Sequence, residues 1–367
     1  MANVLYMYPQ LVRVSFTNIA EKHVEQLCKC MTVETLEIKH THLVHKHYPI
    51  IATHPVFWVF THHSPMMLDM RLRQLEYVYK HCDALIGFDV ADSDRIAPFC
   101  ADLLNEYYDC VIVPSNASRE AYIRSGVNIP VHVIPHGIDD RLINANPSLE
   151  HVYNFDLRIA HGYKLNKQYK YVLFFLWHSG YRKGADIVAQ AMQIVQKQYP
   201  NVILLLKLGE LADPYLKMFR NVKHIRIKGW LSHNELAFLY QLADIVVCPS
   251  RGGGFELNAL EALAFGKPTI AHAHGCFTDY VQWLITCKAS YCHTVIPHNH
   301  IHIGGGWQIE PDDLASKIMH VFDNYDKIAD RYSKIALQVR QQYNWQRIGK
   351  QLCDLFNQYL RNSSTNK

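Results

Sequence analysis

Short apolar runs separated by amphipathic, helix-length stretches recur along most of this chain, and that alternation restricts its fold more than any other feature. In the first half VLYMY (residues 4–8), VFWVF (56–60), ALIGF (84–88), CVIVPS (110–115) and VHVIP (131–135) read as strands. In the second half YVLFFLW (171–177), VILLLKL (202–208), HIRIKGW (224–230), DIVVCPS (244–250) and KPTIAHA (267–273) repeat the theme, with helical periodicity clearest at 184–198 and 233–243. Strands alternating with helices predict an α/β fold with parallel sheets and crossover helices. At 367 residues the chain exceeds what one core usually supports, so two domains are expected.

An internal echo supports two similar halves. DCVIVPSNASREAY from Asp109 and DIVVCPSRGGGFEL from Asp244 both run aspartate, four apolar residues, Pro-Ser, then a helix start. Residues 143–170 are polar and weakly periodic, as a linker is, and place the boundary near residue 158. Ligands of such sheets sit beyond the carboxyl ends of the strands, so two facing domains put both sets of loops around one cleft.

The chain is 19% charged and 49% hydrophobic, a balance that excludes a largely disordered protein. Its net charge of +4 is too mild for a dedicated nucleic-acid binder but compatible with anionic small molecules. The ten cysteines lie mostly in apolar or helical runs with no Cys-x-x-Cys pair, and read as buried thiols in a reducing compartment. No leader-like start and no apolar run of membrane-spanning length occur, so a cytoplasmic protein is expected. The face carried by residues 70–81, MRLRQLEYVYKH, reads either as an amphipathic core helix or as peripheral membrane contact. Among 23 histidines no third ligand accompanies HKHY or HNHIH at metal-binding spacing, so no metal is expected.

The sequence GGGFELNALEALAFGKPTI, residues 252–270, sets three glycines before an apolar helix. Glycine lets the main chain approach a ligand closely, and a helix start presents N–H groups to an anion, although a tight strand-to-helix loop has the same composition. With this loop, VPSNASREAYIRSGV (113–127), VHVIPHGID (131–139), YRKGADIVAQAM (181–192) and YNWQRIGKQLCDLFNQY (343–359) occur in an order that resembles glycosyltransferase family 4. These are retaining enzymes of the GT-B fold, two Rossmann-like domains with parallel sheets facing across a central cleft. The resemblance covers about residues 109–359 and fades in the first hundred. It implies an acceptor-side domain at 1–158, a nucleotide-sugar domain at 159–342 and a helix at 343–361 that returns to the first domain.

The same resemblance implies roles for particular residues. Arg182 and Lys183, after a strand and before Gly184, supply fixed positive charge to a diphosphate, and a solvated Arg-Lys pair is the plain alternative. Gly253, Gly254, Phe255, Glu256 and Leu257 belong to the donor loop, and Glu261 is placed to accept ribose hydroxyls. Family members carry two glutamates eight positions apart. Here the second is Glu261 but the first position is Gly253, which leaves Glu256 either to take over donor-sugar recognition or simply to stabilise a helix N-terminus. His178 stands where many members have a phosphate arginine. His62 and His63 end an apolar run where the family places a histidine near the donor sugar; a packed or capping histidine is the alternative. Arg13, and the aspartates 89, 92 and 94, are weaker candidates for phosphate and acceptor contacts.

The expected activity is transfer of a sugar from a nucleotide-diphospho-sugar to a hydroxyl of a glycan, lipid-linked or protein-linked acceptor, with neither metal nor cofactor and no nucleic-acid partner. A nucleotide-sugar epimerase and a carbohydrate-binding pseudoenzyme of the same fold are the competing readings.

Overall fold

The structure is a computed structural model that describes residues 2–12, 14–57, 65–145, 169–177, 179–209 and 213–365. The chain divides into two compact units: Met1–Gly137 with Pro297–Gly304 and Trp345–Lys367, and Ile138–Ile296 with Gly305–Asn344.

The first unit holds a parallel six-stranded sheet in the order β2-β1-β3-β4-β5-β6. Its strands are β1 Val4–Tyr8, β2 Val33–Glu37, β3 Tyr48–Thr53, β4 Cys82–Phe88, β5 Cys110–Val113 and β6 Val131–Val133. Central strands buried on both faces explain the unbroken apolar runs of β1 and β5. The final helix, Trp345–Thr365, packs in this unit against the helix Ser15–Leu27, where Gly349 lies so close to Gln26 that an added Cβ would come within 2.6 Å of its Oε1.

The second unit holds a parallel sheet in the order β12-β11-β10-β7-β8-β9 and a separate antiparallel pair, β13 and β14. The strands are β7 Lys170–Trp177, β8 Val202–Leu208, β9 His224–Ile227, β10 Ile245–Val247, β11 Thr269–His272, β12 Ile285–Cys287, β13 Ala289–Cys292 and β14 Gly306–Ile309. Alternation along β7 sends Tyr171 and Leu173 into one core and Val172, Phe174 and Leu176 into the other, so both faces must be apolar. The helix Ala185–Gln198 covers the second of these cores with Ile187, Val188, Met192 and Val195. Strand order reverses between β7 and β10, which makes the carboxyl ends of these two strands the switch point of the sheet.

Several expectations change. The apolar run at 56–60 is not strand through residue 57. The paired strand is the six-residue β3, which begins eight residues upstream, and Pro55, having no N–H to give to a ladder, follows its end. The edge strand β2, VETLE, lacks an apolar signature because only its last residue is buried. The first unit ends at Gly137 rather than near residue 158 because Ile138 and Leu142 pack into the second unit's core and Ile138 bridges Asn344. Most of the expected linker lies outside the described residues. The thiol reading is corrected at three positions: Cys30 and Cys353, 323 residues apart, form a disulfide, and Cys28 is an exposed thiol. No described helix is long and apolar enough to cross a membrane.

The echoed aspartates do equivalent work. Asp109 Oδ2 accepts the Leu85 N–H at 2.7 Å, and Asp244 Oδ2 accepts the Tyr171 N–H at 2.7 Å, so each carboxylate ties its segment to a neighbouring strand. The repeats then diverge: after Pro-Ser the first enters the helix Asn116–Arg124 directly, capped by Ser115, whereas the second runs through residues 251–256 before the helix Leu257–Ala264.

Candidate functional site

At the switch point of the second sheet, the turn after β7 meets the loop after β10. The turn contains a one-turn helix, Gly180–Lys183, that ends at Gly184 in the left-handed region with φ 77°. A Cβ at Gly184 would stand 2.4 Å from the Pro249 carbonyl oxygen, so glycine is required both by conformation and by the close approach of the two loops. Gly180 is similarly confined, its N–H donating to Asp213 Oδ2 at 2.9 Å.

Arg251, which sequence reasoning passed over, locks this meeting. It is almost wholly buried, forks onto Asp186 at 2.8 and 2.6 Å, donates to the Tyr181 carbonyl at 2.6 Å and to Gln308 at 2.9 Å, and lies over the Tyr181 ring. Its own N–H donates to the Arg182 carbonyl at 2.7 Å. Its sequence signal is only that it follows the echoed Pro-Ser; planar bidentate pairing with a carboxylate is what makes a buried arginine tolerable.

Arg182 and Lys183 are brought together with Glu256. Lys183 Nζ donates to both Glu256 carboxylate oxygens, at 2.7 and 2.6 Å, and Arg182 Nη1 lies 3.9 Å from Oε1 while donating to the Gly252 carbonyl at 3.1 Å. Glu256 precedes the helix Leu257–Ala264 with φ 54° and ψ 60°, and its side chain makes no capping bond. Its carboxylate oxygens therefore go to Lys183 rather than to the N–H groups of the helix. The carboxylate instead turns back over Gly253, where a Cβ would stand 2.5 Å from Oε1. Phe255 anchors the loop in the core, and the Tyr280 hydroxyl donates to the Phe255 carbonyl at 3.0 Å. Gly254 is buried in the same loop, and Leu257 opens the helix.

Glu261, one turn into that helix, is partly exposed and accepts a hydrogen bond from the Tyr240 hydroxyl at 2.6 Å. Burial pushes its pKa up to about 7, with the Tyr240 bond opposing and the Asp139 charge assisting. At the end of β11, His272 Nε2 donates to the Ser250 carbonyl at 2.8 Å, and burial pushes its pKa down to about 4. Its neighbour His274 stacks on Trp307 with ring centroids 3.8 Å apart.

His62, His63, His178 and Arg13 lie outside the described residues. In the first unit Asp89 is committed to the backbone, accepting the Phe57 and Val90 N–H groups at 3.0 and 2.7 Å, and Asp94 faces Arg124 at 3.7 Å. Among the described residues no group of three His, Cys, Asp or Glu side chains is arranged to hold a metal.

The family model for "Glycosyl transferases group 1" matches residues 170–291, a span that contains the whole of this switch point. "Uncharacterized protein 356" of Sulfolobus islandicus rod-shaped virus 1 is 31% identical over 97% of this chain and 98% of its own length. An uncharacterized glycosyltransferase of Methanocaldococcus jannaschii is 24% identical over 72% of this chain and 64% of its length. Among solved structures, Anabaena HepE in complex with UDP and glucose superposes with a TM-score of 0.70 at 16% identity, covering 98% of this chain and 100% of that one.

Proposed function

Starting from a chain that belongs to the group 1 glycosyltransferases of GT-B fold, we propose that it is a retaining, metal-independent enzyme that moves a sugar from a nucleotide-diphospho-sugar to an acceptor hydroxyl. The observation that carries this reading is the convergence of Arg182 and Lys183 with the 252–256 loop where β7 and β10 end. A bond forms between the acceptor oxygen and the anomeric carbon as the bond from that carbon to the donor phosphate breaks on the same face. The acceptor proton leaves with the diphosphate. Negative charge builds on the departing group, so cations already held in place stabilise the transition state more than the ground state. Glu261 is assigned to the ribose hydroxyls, His62 or His63 to the donor sugar, and His178 to phosphate.

UDP-glucose, named in a second complex structure of HepE, is the first donor to test. Thermal stabilisation is measured against UDP-, GDP- and ADP-sugars for the native protein, Arg182→Ala and Glu261→Ala. One nucleotide series should raise the Tm of the native protein and neither variant should respond. A folded protein that responds to no donor overturns the assignment, and binding of a donor with no transfer to any saccharide or lipid-linked acceptor selects the pseudoenzyme.

A further inference from the structure

Lys183 does not stand open to a ligand. A carboxylate holds it with both oxygens, in the place where an anionic donor group is expected. Resting on the donor-pocket reading above, we propose that Glu256 is an internal occupant of the anion site: it holds Lys183 until a diphosphate displaces it, and the released carboxylate then recognises the hydroxyls of the donor sugar.

Three observations carry the proposal. The first is backbone geometry. Only Trp177, Glu256 and His298 among the described non-glycine residues have positive φ, and Glu256 and Trp177 border the same two loops, after β10 and at the end of β7. A side chain in the left-handed region costs about 1 kcal/mol or more and persists where its surroundings impose it. Here Phe255 in the core and the Tyr280 bonds to the carbonyls of residues 255 and 256 impose it. The second is clearance: the carboxylate occupies the volume a side chain at position 253 would take, so Gly253 and Glu256 form one arrangement in which the acid has moved three positions along the loop. The third is charge. One carboxylate faces two cations, Lys183 directly and Arg182 at 3.9 Å, so a more highly charged diphosphate gains more from the pair than Glu256 does. Exchange rather than simple entry follows, and the displaced acid is left beside the sugar end of the donor, where its two oxygens accept hydroxyl hydrogen bonds.

The test is calorimetric titration of pyrophosphate, UDP, GDP and UDP-glucose into the native protein, Glu256→Gln and the double variant Gly253→Glu with Glu256→Gly, with thermal melts to verify folding. Glu256→Gln should bind pyrophosphate roughly tenfold more tightly than the native protein, because its competitor has lost its charge, and should lose any preference for UDP-glucose over UDP. The double variant, with its acid restored at 253, should recover the native pyrophosphate affinity and the sugar preference. A folded Glu256→Gln that binds pyrophosphate no more tightly than the native protein overturns the exchange while leaving the donor pocket intact. A native protein that binds none of the four probes overturns the donor pocket, and the exchange with it.

Discussion

Acid should unfold the first unit well before the second. Tyr6 at the centre of the first sheet places its hydroxyl 2.8 Å from His23 Nδ1 and 3.2 Å from His54 Nδ1; the two imidazoles stack at 5.4 Å, and His136 lies 6.2 Å from His23. Burial, reinforced by the neighbouring rings, holds His23 and His54 well below the usual histidine range, and burial pushes His136 down to about 3. A histidine whose folded pKa lies below its unfolded value near 6.5 stabilises the fold above that value and loses the contribution as pH falls, at about 1.4 kcal/mol per pH unit. Asp89 opposes them: burial raises it to about 7, so between pH 7 and about 4 the folded state binds the extra proton and gains stability as pH falls. Asp109, also raised by burial, joins Asp89, but the three buried histidines outweigh the two aspartates, so the first unit loses stability between pH 6.5 and 5.0 at up to about 1.4 kcal/mol per pH unit for each group in excess, against the stability of about 5–15 kcal/mol typical of a domain. Partly exposed His132 is also lowered by burial and pushes the same way, with a smaller effect. In the second unit His272, lowered to about 4, and Glu261, raised to about 7, nearly cancel over this range. Urea unfolding at pH 7.5, 6.5, 5.75 and 5.0, read by pulsed hydrogen exchange resolved to peptides, separates the units. His136→Gln should make the pH slope of the first unit shallower. Equal slopes in the two units, or a first unit whose stability is flat from pH 6.5 to 5.0, would rule out the buried histidines as the source of acid sensitivity.

Gly184→Ala should destabilise the second unit by about 2–4 kcal/mol, since it adds left-handed strain to a 2.4 Å approach to the Pro249 carbonyl; a melting curve within about 0.5 kcal/mol of native would contradict the required glycine. Arg251→Met should cost about 3–5 kcal/mol by leaving the Asp186 carboxylate without its fork, and Arg251→Met with Asp186→Leu should recover most of it, as a double-mutant cycle in denaturant would report. Reducing the disulfide, or Cys353→Ser, should remove about 5–6 kcal/mol on the chain-entropy account, given a closure over 323 residues; unchanged urea midpoints with and without reductant would show that the bond does not constrain the unfolded chain.

Much of the second unit was legible because local physics and tertiary position agree there. β7 and β8 are buried on both faces, so their apolar runs are unbroken, and the expected helices at 184–198 and 233–243 match Ala185–Gln198 and His233–Leu242 closely. Edge strands β2 and β12 escaped because an edge needs only one partner and little burial. The meeting of Arg182 and Lys183 with the 252–256 loop was legible as a region for a different reason: glycines and paired charges at strand ends mark where loops come together in a parallel sheet.

Sequence alone determined the α/β class, the two-fold repetition of strand, Pro-Ser and helix, and the likeness to the group 1 glycosyltransferases, because these depend on residue order and periodicity, which local contacts enforce. Features that join residues far apart in the chain emerge from packing alone. Packing set the join of Cys30 to Cys353 and the burial of Arg251 on Asp186. Above all it decided the direction of the Glu256 side chain. A glutamate before a helix ordinarily serves the helix, but a left-handed backbone fixed by Phe255 and Tyr280, and the space above Gly253, turn this one onto Lys183, 73 positions away.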